Sequence, residues 1–111
     1  MTSASAISRI LNANLPEIQG RVTVTELGNG QPIIVLTDHD VSREYAYWWR
    51  RIAASLPPKY YLRAYSSGMI VCEHGVPQGR APKRWQRWGS RMMGYRGTEL
   101  SDPQVIRCGN G

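Results

Sequence analysis

The feature that most constrains the fold is a pair of strand-like runs on either side of Asn29 and Gly30. Residues 21–26 and 31–37 are both rich in β-branched and other apolar side chains. An Asn-Gly dipeptide tolerates the positive φ values that a tight hairpin turn needs. The pattern therefore predicts an antiparallel β-hairpin that turns at these two residues.

Alternation along the two runs predicts which side chains share a face. Val22 and Val24 are expected on the same face as Ile33 and Val35, because successive side chains of a strand point to opposite sides. The run 31–37 is apolar on both of its faces, which is typical of a strand inside a sheet. We therefore expect the second strand of this hairpin to have a neighbour on each side.

A second strand–turn–strand pattern follows later in the chain. Residues 60–65 and 69–74 bracket the sequence Ser-Ser-Gly at 66–68, which predicts another hairpin.

Helical spacing and helix-terminal residues predict helices over residues 5–15, over residues 42–56 with Ser42 as N-cap, and over residues 82–93 starting at Pro82.

These elements together predict the fold class. The order α-β-β-α-β-β-α, with two antiparallel hairpins, favours a small α+β domain in which one sheet is packed by helices. The 111 residues, of which 41% are hydrophobic, suit a single domain with a real core. We expect that domain to span residues 1–97, including the basic helix 82–93, and residues 98–111 to form an irregular C-terminal tail.

Composition narrows the class of protein. No apolar run approaches the length that crosses a bilayer, so we expect no membrane span. Nothing at the N-terminus resembles a secretory signal, and a cytoplasmic location is the expectation. The two cysteines, Cys72 and Cys108, do not make a disulfide framework, although a single bridge between them stays open.

Positive charge is concentrated in the C-terminal third. The formal net charge is +6, and residues 76–111 carry seven basic side chains against two acidic ones. Twelve of the fourteen basic residues are arginine, a planar group that binds phosphate and stacks on rings. A GC-rich genome would also raise the arginine content, but that bias does not explain the clustering.

The segment 80–96 combines this charge with aromatic residues. Helical spacing places Arg84, Arg87 and Arg91 on one stripe, with Trp85 and Trp88 followed by a methionine on the neighbouring stripe. Arginines can neutralise phosphates, and an exposed ring stacked on a base contributes ~1–3 kcal/mol. In the alternative interpretation the tryptophans form the buried face of the helix, and the arginines alone contact the ligand.

A second coincidence of rings and positive charge lies on the third predicted strand. At strand spacing Tyr61 and Tyr65 share a face, with Arg63 between them. Tyrosines on a sheet can stack RNA bases. The alternative is that these are ordinary half-buried tyrosines of a sheet.

Candidate catalytic and metal-binding groups have weak spacing. Asp38, His39 and Asp40 precede the second helix, and Cys72 and His74 end the fourth strand. Zinc sites usually draw on paired Cys or His spacings that are missing here. The aspartates are also explained as helix-capping residues and the cysteine as a core residue, with no catalytic or metal-binding role. We therefore predict no enzymatic activity, no metal and no cofactor.

The leading hypothesis is a small non-enzymatic protein that binds DNA or RNA, mainly through phosphate contacts. The alternative is a mobile-element or phage-type interaction protein, such as an inhibitor, that docks on an acidic surface of a host protein. The oligomeric state stays open. The residues predicted to contact the partner are Arg80, Lys83, Arg84, Trp85, Arg87, Trp88, Arg91 and Arg96, together with Tyr61, Arg63 and Tyr65.

Overall fold

A computed structural model provides the fold and describes residues 2–27, 30–65, 68–76 and 104–109. Within these ranges the chain is an α+β domain with one five-stranded antiparallel sheet. The helices are α1 (Ala4–Asn14), α2 (His39–Arg43) and α3 (Tyr45–Ser55), with a 3-10 turn at Pro16–Ile18. The strands are β1 (Val22–Glu26), β2 (Pro32–Leu36), β3 (Tyr60–Tyr65), β4 (Gly68–Glu73) and β5 (Gln104–Arg107).

The strand order in the sheet is β1-β2-β4-β3-β5. β1 pairs with β2 and β3 pairs with β4, both antiparallel, which are the pairings expected of the two hairpins. β2 lies between β1 and β4, and all five of its residues are buried, so the prediction of an interior strand is confirmed. The predicted helix 82–93 lies outside the described residues.

The register of the first hairpin differs from the prediction. Val22 lies opposite Leu36 and Val24 lies opposite Ile34, so the valines share a face with these two residues and not with the odd-numbered residues of β2. The ladder ends at Glu26, and the chain takes a longer connection than a two-residue turn. A shift of one residue moves every side chain to the other face. Local turn chemistry therefore specified the pairing but not the register.

The start of the second helix also differs from the prediction. Asp38, and not Ser42, is the N-cap: its side chain accepts hydrogen bonds from the backbone N–H groups of Asp40 and Val41 at 3.0 and 3.1 Å. The helix is interrupted at Glu44, which separates α2 from α3. Asp38 follows β2 almost directly, so helix begins as soon as the chain leaves the sheet.

The C-terminal tail, residues 98–111, also differs from the prediction. Residues 104–107 form β5, antiparallel to β3, so residues 98–111 are not uniformly irregular and the domain extends beyond residue 97. Cys108, directly after β5, is buried, and the backbone N–H of Gly109 donates to the Ala53 carbonyl at 2.9 Å. A four-residue edge strand is too short for its sequence to show a periodicity. The strand forms because its backbone pairs with β3.

The main core lies between the helices and one side of the sheet, here called the first face. The helices contribute Ile7, Leu11, Val41, Trp48, Trp49, Ile52 and Ala53, and Leu56 follows α3 as its C-cap. The sheet contributes Ile34, Leu36, Tyr60, Leu62, Ala64, Met69 and Val71. A second, smaller cluster occupies the opposite side of the sheet, here called the second face. No helix in the described part of the chain is long and apolar enough to cross a membrane.

Gly68 permits the close approach of β4 to β2. A Cβ atom at this position would lie 2.5 Å from the carbonyl oxygen of Ile34 and 3.2 Å from the Cα of Val35. Both atoms belong to the backbone of the buried strand β2, which cannot yield as a flexible side chain would. A side chain at Gly68 would therefore force the two strands apart.

We expect Gly68→Ala to lower the free energy of unfolding by about 1–3 kcal/mol, the usual cost of overpacking a well-packed core. Urea denaturation monitored by circular dichroism measures the change. Equal stability of the Gly68→Ala protein and the original chain would show that β2 and β4 do not require this close approach.

Candidate nucleic-acid interface

The structure describes three of the residues predicted to contact a partner. Tyr61, Arg63 and Tyr65 all lie on β3 and all point to the second face, because Leu62 between them belongs to the first-face core. The remaining residues of that prediction lie outside the described ranges: Arg80, Lys83, Arg84, Trp85, Arg87, Trp88, Arg91 and Arg96.

The two tyrosines of β3 differ in exposure. Tyr65 is only 6% exposed and packs in the second-face cluster with Ile33, Val35 and Ile70. The Tyr65 backbone carbonyl also accepts a hydrogen bond from the indole of Trp49 at 3.2 Å. Tyr65 therefore supports packing and does not present an exposed ring. Tyr61 is half-buried at the margin of the same cluster and keeps part of its ring accessible.

Strand β5 adds two residues that the sequence patterns did not identify. Arg107 lies directly opposite Tyr61, and Val105 lies directly opposite Arg63, so both point to the second face. Arg107 is exposed, and Val105 is 63% exposed. The adjacent β-branched residues Val105 and Ile106 were the only strand signal in the tail, and two residues are too few to predict a strand.

His74 completes the group from the end of β4. Its ring lies 4.9 Å from that of Tyr61, centroid to centroid, at an interplanar angle of 40°. The backbone N–H of His74 donates to the Lys59 carbonyl at 3.0 Å, which holds this residue at the strand end. We call the five residues Tyr61, Arg63, His74, Val105 and Arg107 the sheet-edge patch.

The charges of the strands are divided between the two faces. Glu26 faces the helices, where its carboxylate accepts from the Ala4 backbone N–H at 3.1 Å. Glu73 accepts from the Thr2 hydroxyl at 2.6 Å, and that hydrogen bond lowers the pKa of its carboxyl. Alternation places both acidic residues of the strands on the first face. Among the described strand residues, the second face carries Arg63 and Arg107 and no carboxylate.

A second basic surface lies between α1 and α3. A groove of about 480 Å³ there is lined by Asn14, Tyr47, Arg50 and Arg51, among others. Arg51 donates to the Tyr47 hydroxyl at 3.2 Å and to Glu17 at 2.9 Å, and these hydrogen bonds, that with Tyr47 first, raise the pKa of its guanidinium. Arg50 makes no ion pair with any described residue, and Tyr47 is 51% exposed.

The acidic cluster before α2 has structural partners. Besides capping α2, Asp38 accepts a hydrogen bond from Arg21 at 3.2 Å. The backbone N–H of Val41 and the Arg21 guanidinium lower the pKa of the Asp38 carboxyl. Within the described ranges, no group of three His, Cys, Asp or Glu side chains could hold a metal ion.

The two cysteines lie on opposite sides of the sheet. Cys72 belongs to the second-face cluster and Cys108 to the first-face core, and both are free thiols. The sheet also separates Cys72 from α2, which carries His39, so these two residues do not form a nucleophile–base pair. Burial raises the pKa of Cys72, and it raises the pKa of Cys108 to about 12.

No protein-family model, no curated protein and no solved structure matches the chain. Its function is therefore inferred from the residues and their geometry.

We expect both thiols to resist alkylation in the folded protein. The thiolate is the reactive form, and both burial and a raised pKa disfavour it at pH 8. Iodoacetamide at pH 8, followed by mass spectrometry of the intact chain, should show no label in buffer and two labels in 6 M guanidinium. Rapid labelling of Cys72 in buffer would contradict the geometry.

Proposed function

We propose that the protein binds nucleic acid, mainly through arginine–phosphate contacts. The observation that carries this proposal is the sheet-edge patch, where Arg63 and Arg107 flank a partly accessible tyrosine on a face without described strand carboxylates. The arginines of segment 80–96, which lie outside the described residues, belong to the same proposal as further phosphate contacts.

The chemistry of the patch suits a phosphate backbone with accessible bases. Guanidinium groups bind phosphate oxygens in a bidentate manner, and repulsion from nearby carboxylates would weaken such contacts. Tyr61 offers a ring surface on which one base could stack. The ring of His74 packs against the Tyr61 ring and supports its position. This arrangement favours phosphate contacts that tolerate many sequences, with one stacking position.

Binding of this kind depends steeply on salt. Each phosphate contact releases bound counterions, so the logarithm of the binding constant falls linearly with the logarithm of the salt concentration. The slope therefore reports how many phosphates the protein neutralises, and it changes when an arginine that binds phosphate is removed.

The test compares two double variants that remove the same charge from different surfaces. Arg63→Gln/Arg107→Gln alters the sheet-edge patch, and Arg43→Gln/Arg50→Gln removes two arginines from α2 and α3. Fluorescence anisotropy with labelled single-stranded DNA, single-stranded RNA and duplex DNA is recorded over a range of salt concentrations. We expect the first variant to weaken binding and to reduce the slope of the salt dependence by about 1 for each phosphate that is no longer neutralised. The second variant should change neither the affinity nor this slope by much.

Arg107→Gln alone serves as a check, because Arg107 is exposed and its removal should leave the fold intact. Thermal unfolding of each variant verifies this. Absence of binding to all three probes at low salt would refute the proposal, and equal losses of affinity for the two double variants would refute the assignment to the sheet-edge patch.

A second candidate function is docking on an acidic protein surface, as an accessory or inhibitor protein of the mobile-element or phage type would do. The observation in its favour is the exposed surface of α3, where Tyr47, 51% exposed, lines the same groove as Arg50. Tyrosine and arginine are enriched at protein interfaces. A nuclease-resistant complex that disappears in Arg43→Gln/Arg50→Gln but persists in Arg63→Gln/Arg107→Gln would favour this function.

A further inference from the structure

The second face of the sheet carries an apolar cluster to which no described helix contributes. The helical core residues all belong to the cluster on the first face. Val35 and Ile70 on the second face are nevertheless 0% exposed. Because apolar side chains on a sheet are buried by a second layer of chain, something must cover this face. The members of the second-face cluster are Leu27, Ile33, Val35, Tyr65, Ile70 and Cys72.

The strand directions define the path between β4 and β5. Both strands run antiparallel to β3, which lies between them, so β4 and β5 are parallel to each other. The chain that leaves β4 must therefore return along the length of the sheet before it enters β5. Such a crossover needs a dozen or more residues and is usually a helix. Residues 77–103 are long enough to form it.

The handedness of crossover connections indicates over which face of the sheet the connection from β4 to β5 passes. β2 and β3 are also parallel, since both run antiparallel to β4, and α2 and α3 connect them over the first face. The step from β4 to β5 crosses the sheet in the same direction as the step from β2 to β3, but β4 runs opposite to β2. Parallel connections are right-handed in about 98% of cases. Two right-handed crossovers with these directions lie on opposite faces.

The sequence of the connection fits the surface in length and pattern. The helix predicted over residues 82–93 would be about 18 Å long at 1.5 Å per residue. A six-residue strand such as β4 spans about 20 Å. The apolar stripe of that helix, Trp85, Trp88 and Met92, offers the large side chains that an apolar sheet face requires.

We infer that the second face of the sheet is the docking surface for residues 77–103 of the same chain, with Trp85, Trp88 and Met92 packed against the second-face cluster. Docking of this kind does not depend on the proposed nucleic-acid binding. It assigns the tryptophans to packing and leaves the neighbouring arginine stripe for a ligand.

Photo-cross-linking in the full chain tests the docking directly. Benzoylphenylalanine replaces Trp88, the protein is irradiated, and mass spectrometry maps the products. Cross-links within one chain to Ile33, Val35 or Ile70 are expected. Cross-links confined to α1 or α3, or formed only between two chains, would overturn the inference. The same probe at the exposed Tyr47 is the control, and it should not reach these three residues.

The two cysteines provide a second measurement, since one lies in each cluster. In Trp85→Ser/Trp88→Ser, we expect Cys72 to react with iodoacetamide at least tenfold faster than in the original chain, while Cys108 stays protected. An unchanged rate for Cys72 would count against the docking. If both thiols accelerate together through general unfolding, the cross-links decide.

Discussion

The antiparallel pairing of β2 with β4 is the interaction on which the rest of the structure depends. It joins two hairpins that are distant in sequence into one sheet, with Val35 opposite Gly68. An isolated hairpin is marginally stable, whereas a sheet of three or more strands with an apolar face can hold helices. The pairing requires glycine at position 68, because the backbone of β2 occupies the space that a side chain would take.

Once the sheet is formed, its two faces acquire different chemistry. α1 and α3 cover the first face, where Glu26 and Glu73 find hydrogen-bond donors at the N-terminal end of the chain. The second face keeps Arg63 and Arg107 at one edge and an apolar cluster in the middle. This division separates the acidic strand residues from the basic ones, and the proposed binding of nucleic acid rests on that separation.

The proposed nucleic-acid binding and the inferred docking use two different parts of that second face. The apolar middle suits coverage by large side chains, since Val35 and Ile70 are fully buried. The β5 edge stays accessible, as the exposure of Val105 and Arg107 indicates.

Sequence alone determined the kind of elements in this protein and much of their extent. Apolar alternation around residues 29–30 and 66–68 specified two hairpins, and helical spacing specified α1 and the buried stripe of α3, because these signals act between residues close in the chain. Tertiary structure decided what depends on distant contacts. The register of Val22, the existence of β5 and the pairing of Arg107 with Tyr61 each arise from strands that recognise one another through backbone hydrogen bonds, which carry no signature in the side-chain sequence. Tertiary contacts also distinguish Tyr61 from Tyr65, which are equivalent in the sequence pattern: Tyr65 belongs to the buried cluster with Ile33, Val35 and Ile70, while Tyr61 lies opposite Arg107 of β5 and stays half-buried.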